Sequence, residues 1–303
     1  MNPRIVIFND THGWHSEQLT TALGRLGIEA VLTDLADCRI DLDSATGLFI
    51  PGFDGELPAA AIVRGIAPGF LEQITLRMDV LHTLAELGVP VLNPATAIEH
   101  TVDKARTSLR LHLAGLNTPR TWACENTDMA EAIVESELTA GHQLVMKPLF
   151  GCQGKGVVLI ENLQQFRQQV PVGEAFYLQL YIAPENPGAW QDWRLLVIDG
   201  EVCSAMSRRS SHWITNFAQG GSCFATPVSD DMRHLAIAAT EAVNADYAGV
   251  DLIRGPDGQF TVLEVNSVPA WKGLYHATGA DIAGSLAKAI KQRIRTALST
   301  HAV

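Results

Sequence analysis

The sequence predicts an α/β unit followed by an α+β region, and three observations carry that prediction. Strand-like apolar runs alternate with helical patterns as far as Asn93-Pro94. From Asp103 onward, helices and strands follow one another in a less regular order. Further on, Gly249–Arg254 and Thr261–Asn266 read as strands around Gly255-Pro-Asp-Gly258, which is a hairpin signal.

Residues 4–8 (Arg-Ile-Val-Ile-Phe) form an apolar run of strand type, followed by a helical pattern from Ser16 to Leu26. Glu29–Thr33 and Gly47–Pro51 read as further strands. The segment Leu71 to Leu87 places Leu71, Ile74, Met78, Leu81, Leu84, Ala85 and Leu87 on one helical face. Val89-Pro-Val-Leu-Asn93 then returns as a strand, and the Asn-Pro step biases the chain away from helix, marking a boundary. Alternation of this kind predicts a mainly parallel sheet with both faces covered. Beyond it come a helix ending at Gly115, a short strand Thr118–Thr121, a helix from Asp128 to Glu137 and the strand Leu144–Lys147. The glycine loop Phe150-Gly-Cys-Gln-Gly-Lys-Gly156 leads into Val157–Ile160, and Tyr177–Ile182 is the next strand. Strands at Trp193–Ile198 and Glu201–Arg208, a helix over Asp230–Asn244, the hairpin, and a helix over Ala280–Leu298 complete the chain. Three units are expected: residues 1–94, residues 95–182 with the glycine loop, and residues 183–303 with the hairpin.

With 303 residues, 47% hydrophobic and 18% charged, the chain has room for two or three domains, each with its own core. Its net charge of −11 argues against sequence-independent binding to nucleic acid or to an anionic membrane, since both need a basic field. An anionic substrate must therefore be met by local Arg and Lys. The five cysteines (Cys38, Cys124, Cys152, Cys203 and Cys223) show no C-x-x-C spacing, which fits a reducing cytoplasm better than a zinc site or a disulfide framework. The N-terminal apolar run is too short for a signal peptide. No run approaches the roughly 20 apolar residues of a membrane span.

Pairing the two hairpin strands brings Asp251 and Glu264 to one end of a shared face, and Asn266 points the same way as Glu264 because side chains alternate with period two. An isolated acidic pair would read as solvated strand-end charge. Together the three oxygen donors suit magnesium, whose remaining coordination is filled by phosphate oxygens. In the glycine loop, Gly151, Gly154 and Gly156 permit close backbone approach, so that successive N–H groups can face phosphate. The loop lacks the GK[ST] ending of a Walker motif and leads into a strand, and it does not match the dinucleotide fingerprint. Lys147, at the end of an otherwise apolar strand, is costly to bury without an anion. Lysine, glycine loop and acidic hairpin together point to a nucleoside triphosphate.

A longer series of motifs occurs in fixed order: Asp103-Lys104, Gly115 to Thr121, Val145-Met-Lys147, Gly151 to Gly156, Gln179-Leu-Tyr-Ile182, Asp192-Trp-Arg194, Arg208-Arg209, Asn216 to Gly221, Gly249-Val-Asp251, and Glu264 to Pro269. In this the chain resembles the ATP-grasp ligases, and most closely their RimK-like branch, from about residue 80 to residue 290. Within that branch, Val63-Arg64-Gly65, Leu71-Glu-Gln73 and Arg77-Met-Asp79 look like the α-L-glutamate ligases that act on tetrahydromethanopterin-type cofactors.

The resemblance implies an ATP-grasp fold, with an N-terminal α/β domain, a central small domain and a C-terminal domain holding ATP between two sheets. It places Lys104 and Lys147 at the ATP phosphates, Tyr181 and Ile182 at the adenine hinge, Asp192 at the ribose, and Gln179 among the nucleotide-binding residues. Asn216 would help hold phosphates and metals, and Asp251, Glu264 and Asn266 match the Mg2+ ligands, with Mn2+ as a possible substitute. The implied chemistry is transfer of the γ-phosphoryl group to a carboxylate, then attack by an amine to form an amide. Fixed cations stabilise the tetrahedral intermediate. Arg194, Arg208 and Arg209 are the candidates, and period two lets only one of the adjacent Arg208 and Arg209 face the site, with Arg208 preferred. Arg64, Gln73 and Arg77 are candidates for the acceptor's carboxylates, and Trp14, His12, His15 and Trp271 for walls around a bulky acceptor. Two positions depart from related patterns: Leu180 stands where RimK-like chains usually carry an acidic residue, and Gly249 where D-alanine ligases carry arginine.

The expected enzyme is a cytoplasmic carboxylate–amine ligase, a homo-oligomer (dimer or tetramer), joining L-glutamate to a small-molecule acceptor carboxylate. A ribosomal protein C-terminus and a carrier protein are alternative acceptors. From other classes, a non-catalytic ATP-binding module and a dinucleotide-dependent oxidoreductase stand as rivals.

Overall fold

A computed structural model of the chain describes residues 2–151, 154–184, 186, 188–215 and 220–300. The apolar run near the N-terminus becomes β1 (Arg4–Phe8), followed by α1 (Trp14–Arg25) and β2 (Glu29–Thr33). After a small hairpin, β3 (Arg39–Ile40) with β4 (Leu48–Phe49), come β5 (Ala61–Val63), α2 (Leu71–Glu86) and β6 (Val91–Leu92). The first sheet has the order β2-β1-β5-β6 and is parallel throughout. The segment Gly47–Pro51, expected as a strand of this sheet, contributes only β4, which pairs with β3 outside it. The interior place belongs to β5, three residues that are all 0% exposed and whose shortness hides them from pattern reading.

The strands of this sheet are buried on both faces, as a parallel sheet requires. Ile5, Ile7 and Ile62 point to one side, while Val6, Phe8, Ala61 and Val63 point to the other. Two helices follow at once: α3 (Ala95–Val102) and α4 (Lys104–Leu113), separated by Asp103. The Asp103 carboxylate accepts from Ala105 N and Arg106 N, so this single residue ends one helix and caps the next.

The second sheet, order β7-β10-β8-β9, is built from β7 (Thr121–Cys124), β8 (Leu144–Lys147), β9 (Val158–Ile160) and β10 (Phe176–Leu180). Here α5 (Thr127–Thr139) and α6 (Leu163–Arg167) bury Val134 and Phe166 against Leu144, Met146 and Leu178. The third sheet, order β13-β12-β11-β14-β15, comprises β11 (Trp190–Ile198), β12 (Glu201–Ser210), β13 (Ser222–Ala225), β14 (Tyr247–Arg254) and β15 (Phe260–Asn266). One face of it is apolar against α7 (Asp230–Ala242). The other carries Leu196, Ile198, Met206 and Tyr247 at one end and charged residues at the other. Helices α8 (Lys272–Thr278) and α9 (Ile282–Thr300) complete the chain.

The expectation of a separate core for each domain is corrected by this packing. Ile5, Ile7 and Ile62 of the first sheet share one cluster with Leu196, Met206 and Tyr247 of the third and with Leu286 and Ile290 of α9. Helix α9 has an apolar stripe that neither sheet alone would cover, so the two ends of the chain are joined by hydrophobic burial.

Candidate active site

The charged end of the third sheet is assembled by antiparallel register. Arg208 faces Asp192, Arg194 faces Asp251, and Asp251 faces Glu264, so these side chains share one face of four adjacent strands. A register shift between Asp251 and Leu252 is essential to this: Leu252 pairs with Val262, yet Asp251 pairs with Glu264, leaving Leu263 as the extra residue of a bulge. Without the bulge Asp251 would face Leu263. Asn266 faces Gly249 two residues further on, on the same side as Glu264.

Two guanidinium groups neutralise Asp251. Arg194 donates from Nε and Nη2 to Oδ1 and Oδ2, both at 2.6 Å, and Arg208 Nη2 lies 2.9 Å from Oδ2. Arg208 also grips Asp192 with two bonds of 2.7 Å, and Thr215 donates to the same carboxylate. Burial pushes the Asp251 carboxyl up, but the two arginines outweigh it and hold the group below its usual range. Burial disfavours the Arg208 cation, and Asp251 and Asp192 more than restore it. By contrast, among the described residues the Glu264 carboxylate has no hydrogen-bond or ion-pair partner.

Across a cleft open to solvent, Lys104, Lys147, Lys155, Gly151 and Gly154 face Asp192, Asp251 and Glu264. Lys147 Nζ donates to Gln179 Oε1 at 2.6 Å, and Gln179 Nε2 in turn donates to Tyr177 Oη and Thr121 Oγ1, both at 3.1 Å. Burial brings the Lys147 ammonium down to about 8, with Glu264 opposing the shift and Lys104 adding to it. Lys104 Nζ donates to Gly151 O at 2.6 Å, tying the start of α4 to the glycine loop. Gly156 has φ +72°, and a Cβ there would sit 2.9 Å from Pro148 Cγ, so only glycine closes the loop in this form.

Residues 101–290 match the family described as RimK-like ATP-grasp domain. The chain belongs to the RimK-like ATP-grasp family. A tetrahydromethanopterin:alpha-L-glutamate ligase of Methanococcus maripaludis is 34% identical to it over 232 residues, covering 75% of this chain and 76% of that protein. A probable alpha-L-glutamate ligase of Cellvibrio japonicus is 29% identical over 307 residues, covering 95% of each. The fold is shared with the solved structure of ATP-grasp ligase PsnB complexed with minimal precursor, at TM-score 0.77 and 23% identity, covering 97% of this chain and 100% of that one.

In this RimK-like protein several sequence candidates stand where expected motifs placed them and are held by partners within the protein. Asp192, expected at a ribose, is held by Arg208 and Thr215. Gln179, expected among the nucleotide-binding residues, lies buried behind Lys147 and orients it. Tyr181 accepts from Trp190 Nε1 at 3.2 Å and stands edge-on to Trp213, which lines the cleft. Ile182 lies against the hairpin turn, where a Cβ on Gly255 would meet it at 3.5 Å. Asn216 lies outside the described residues, as do Cys152 and Gln153 of the glycine loop.

The acceptor candidates are corrected more strongly. Arg64 is buried, donating to Tyr247 Oη and Pro269 O at 3.0 Å each and stacking on Trp271 at 4.3 Å. Arg77 reaches back to the carbonyls of Ala67 and Pro68, and Gln73 accepts from Phe70 N as the cap of α2. Gln73 and Arg77 therefore hold local backbone, while Arg64 holds residues distant in the chain. Arg209 is exposed on the opposite face from Arg208, bonded to Gln191 and lying over Phe224. Lys155 and Thr215 went unrecognised in sequence. Lys155, between two glycines of the loop, carried a usable signal, whereas Thr215 shows its place only through its contact with Asp192.

Proposed function

We propose that this chain is an ATP- and Mg2+-dependent carboxylate–amine ligase that joins L-glutamate to a carboxylate-bearing acceptor through an acylphosphate. The observation that carries the reading is the opposition, across one cleft, of Lys104 and Lys147 to Asp251 and a Glu264 carboxylate without a partner among the described residues. Cations on one wall and oxygen donors on the other suit a polyphosphate bridged by a divalent ion.

The donor set fits magnesium. Glu264 is partly buried in the cleft without a partner among the described residues, and a carboxylate so placed is costly unless a cation meets it. Asn266 shares that face of β15 and could add an amide oxygen. Asp251 accepts two hydrogen bonds from Arg194 and pairs with Arg208 at 2.9 Å, which leaves lone-pair capacity for a metal. When bound, the ion supplies charge neutralisation to the transferred phosphoryl group and orients it.

The protein's own residues then have definite tasks. Lys104 and Lys147 bind phosphate oxygens, Gln179 holds the Lys147 ammonium toward the cleft, and the glycine loop covers the phosphates with backbone N–H groups. The γ-phosphoryl group passes to an acceptor carboxylate oxygen as its bond to ADP breaks. The glutamate nitrogen then attacks the acyl carbon, phosphate leaves, and the nitrogen loses a proton. Arg194 and Arg208 hold Asp251 and supply positive charge beneath the developing oxyanion.

The named relatives from Methanococcus and Cellvibrio favour glutamate as the donated amino acid, and the first favours a reduced pterin as acceptor. The test is ADP release with Mg-ATP, L-glutamate and a panel of acceptors including a tetrahydromethanopterin, a ribosomal protein C-terminal peptide and a carrier protein. ADP that appears only with glutamate plus one acceptor, and a product heavier by one glutamyl unit, supports the reading. Mg-ATP binding with no ADP from any pair favours a non-catalytic module.

A further inference from the structure

The segment that leaves β15 just after Asn266 is gripped at alternate residues by polar side chains from the first 101 residues. Ser267 O accepts from Asn93 Nδ2 at 2.6 Å, and Ser267 Oγ shares a 2.6 Å hydrogen bond with Thr101 Oγ1. Pro269 O accepts from Arg64 Nη2 at 3.0 Å, and Trp271 N donates to His15 Nε2 at 3.1 Å. His15 is brought down to about 4 by burial and by the charges of Arg64 and Lys272, so its ring stays neutral and can accept. Asn93 grips the start of β14 as well, accepting from Asp246 N and Tyr247 N at 2.6 and 3.0 Å and donating to Tyr247 O at 2.7 Å.

This arrangement exceeds what joining the units requires. Apolar burial already unites the first and third sheets. Sinking Asn93, Arg64, Thr101 and Ser267 to between 0% and 8% exposure adds desolvation costs that their hydrogen bonds only roughly offset. What the bonds do provide is placement. Asn266 is the last ladder residue of its strand, facing Gly249, and beyond it no strand partner fixes the backbone. A cation ligand has to be held within a few tenths of an ångström, which the residues behind it usually ensure.

We infer that Asn93, Thr101, Arg64 and His15 are positioning residues for the cation-facing end of β15, fixing the Asn266 amide beside Glu264 from behind. The inference rests on the ligase reading and deepens it. It gives residues that flank the first sheet a part in metal binding although their recorded bonds go to the segment behind the metal ligands.

The test measures ADP binding by calorimetry to the full chain over a Mg2+ series and again in chelator. Thr101→Val removes one oxygen and keeps the side chain's shape, while Arg64→Met removes the fork and keeps much of the stem. Thr240→Val is the control, because it deletes a buried hydroxyl that is bonded to Ala236 O at 2.9 Å within its own helix and makes no bond to the segment after Asn266. The expected result is a rise of about tenfold in half-saturating Mg2+ for Thr101→Val and Arg64→Met, with ADP affinity in chelator unchanged. Thr240→Val should match the wild type at a similar loss of thermal stability. Folded Thr101→Val protein with the wild-type Mg2+ requirement would overturn the inference, whether or not Arg64→Met folds. ADP binding by the wild type that ignores Mg2+ altogether would instead remove the ligase reading, and the inference with it.

Discussion

Arg194 and Asp251 face each other across β11 and β14 in a two-bond ion pair, both N–H to oxygen distances being 2.6 Å, with side chains only 12% and 7% exposed. Breaking a buried pair by removing one partner leaves an uncompensated charge and costs about 3–5 kcal/mol. For Arg194→Met the low end applies, since Arg208 still reaches Asp251. Thermal unfolding should show the loss. Arg194→Lys should recover little of it, because an ammonium cannot reproduce the planar fork. A Lys variant as stable and active as the wild type would remove the two-bond pair from the account.

Lys147 makes nucleotide binding pH-dependent. Its group titrates at about 8 in the free protein, pulled down chiefly by burial. Above that pH the phosphate clamp loses its charge, so KM for ATP should climb between roughly pH 7.5 and 9 by about tenfold per unit once past the midpoint. For stability the sign is opposite. The folded pKa lies below the unfolded one, so the unfolded chain binds more protons between about 8 and 10.4, and this group's contribution to stability rises with pH across that window. Lys147→Arg, which stays charged, should flatten the KM profile. A profile unchanged by that substitution would assign the pH dependence to another group.

Glu264 offers a cleaner separation of folding from function. Its carboxylate has no partner among the described residues, so Glu264→Gln should fold with wild-type stability or slightly more. Turnover should nevertheless fall by at least about 100-fold, since residues behind a metal ligand already cost 10–100-fold. Equal turnover in the two proteins would exclude Glu264 as a ligand.

Gly249 explains one departure from the D-alanine ligase pattern. A Cβ at this position would lie 2.9 Å from Pro269 Cβ, in the very segment that Arg64 holds. The proline ring cannot swing aside, so Gly249→Ala should cost about 1–3 kcal/mol by overpacking and disturb Asn266, its ladder partner. An arginine has no room there. The measurement is chemical denaturation together with the Mg2+ requirement; an alanine variant indistinguishable in both would show that the segment yields freely.

Much of the site was legible because its signals are local. The Gly255-Pro-Asp-Gly258 turn forces the two flanking strands together, with Gly258 N bonded to Gly255 O at 2.9 Å. Period two then sets Glu264 and Asn266 on one face and separates Arg208 from Arg209. Lys147 stood out because a cation ending an apolar strand needs a reason. The places where sequence reading failed are non-local. Arg64 looked like a substrate residue, yet its partners Tyr247 and Pro269 lie 183 and 205 positions away. Gln179 looked like a nucleotide contact, and its link to the site runs through Lys147 on the neighbouring strand. The strand Ala61–Val63 is too short to show a period at all.

Hydrophobic alternation, turn chemistry and the order of motifs in one dimension therefore settle most of the longer strands, the glycine loop's place in the chain and the family, since each depends on residues close together in the chain. The bulge at Leu263, the double grip of arginines on Asp251, and the hold of Asn93, Thr101 and Arg64 on the residues after Asn266 depend on register and on packing between distant segments. Those are properties of the closed three-dimensional arrangement, because a hydrogen bond is decided by tenths of an ångström, and only the folded core brings its two ends that close.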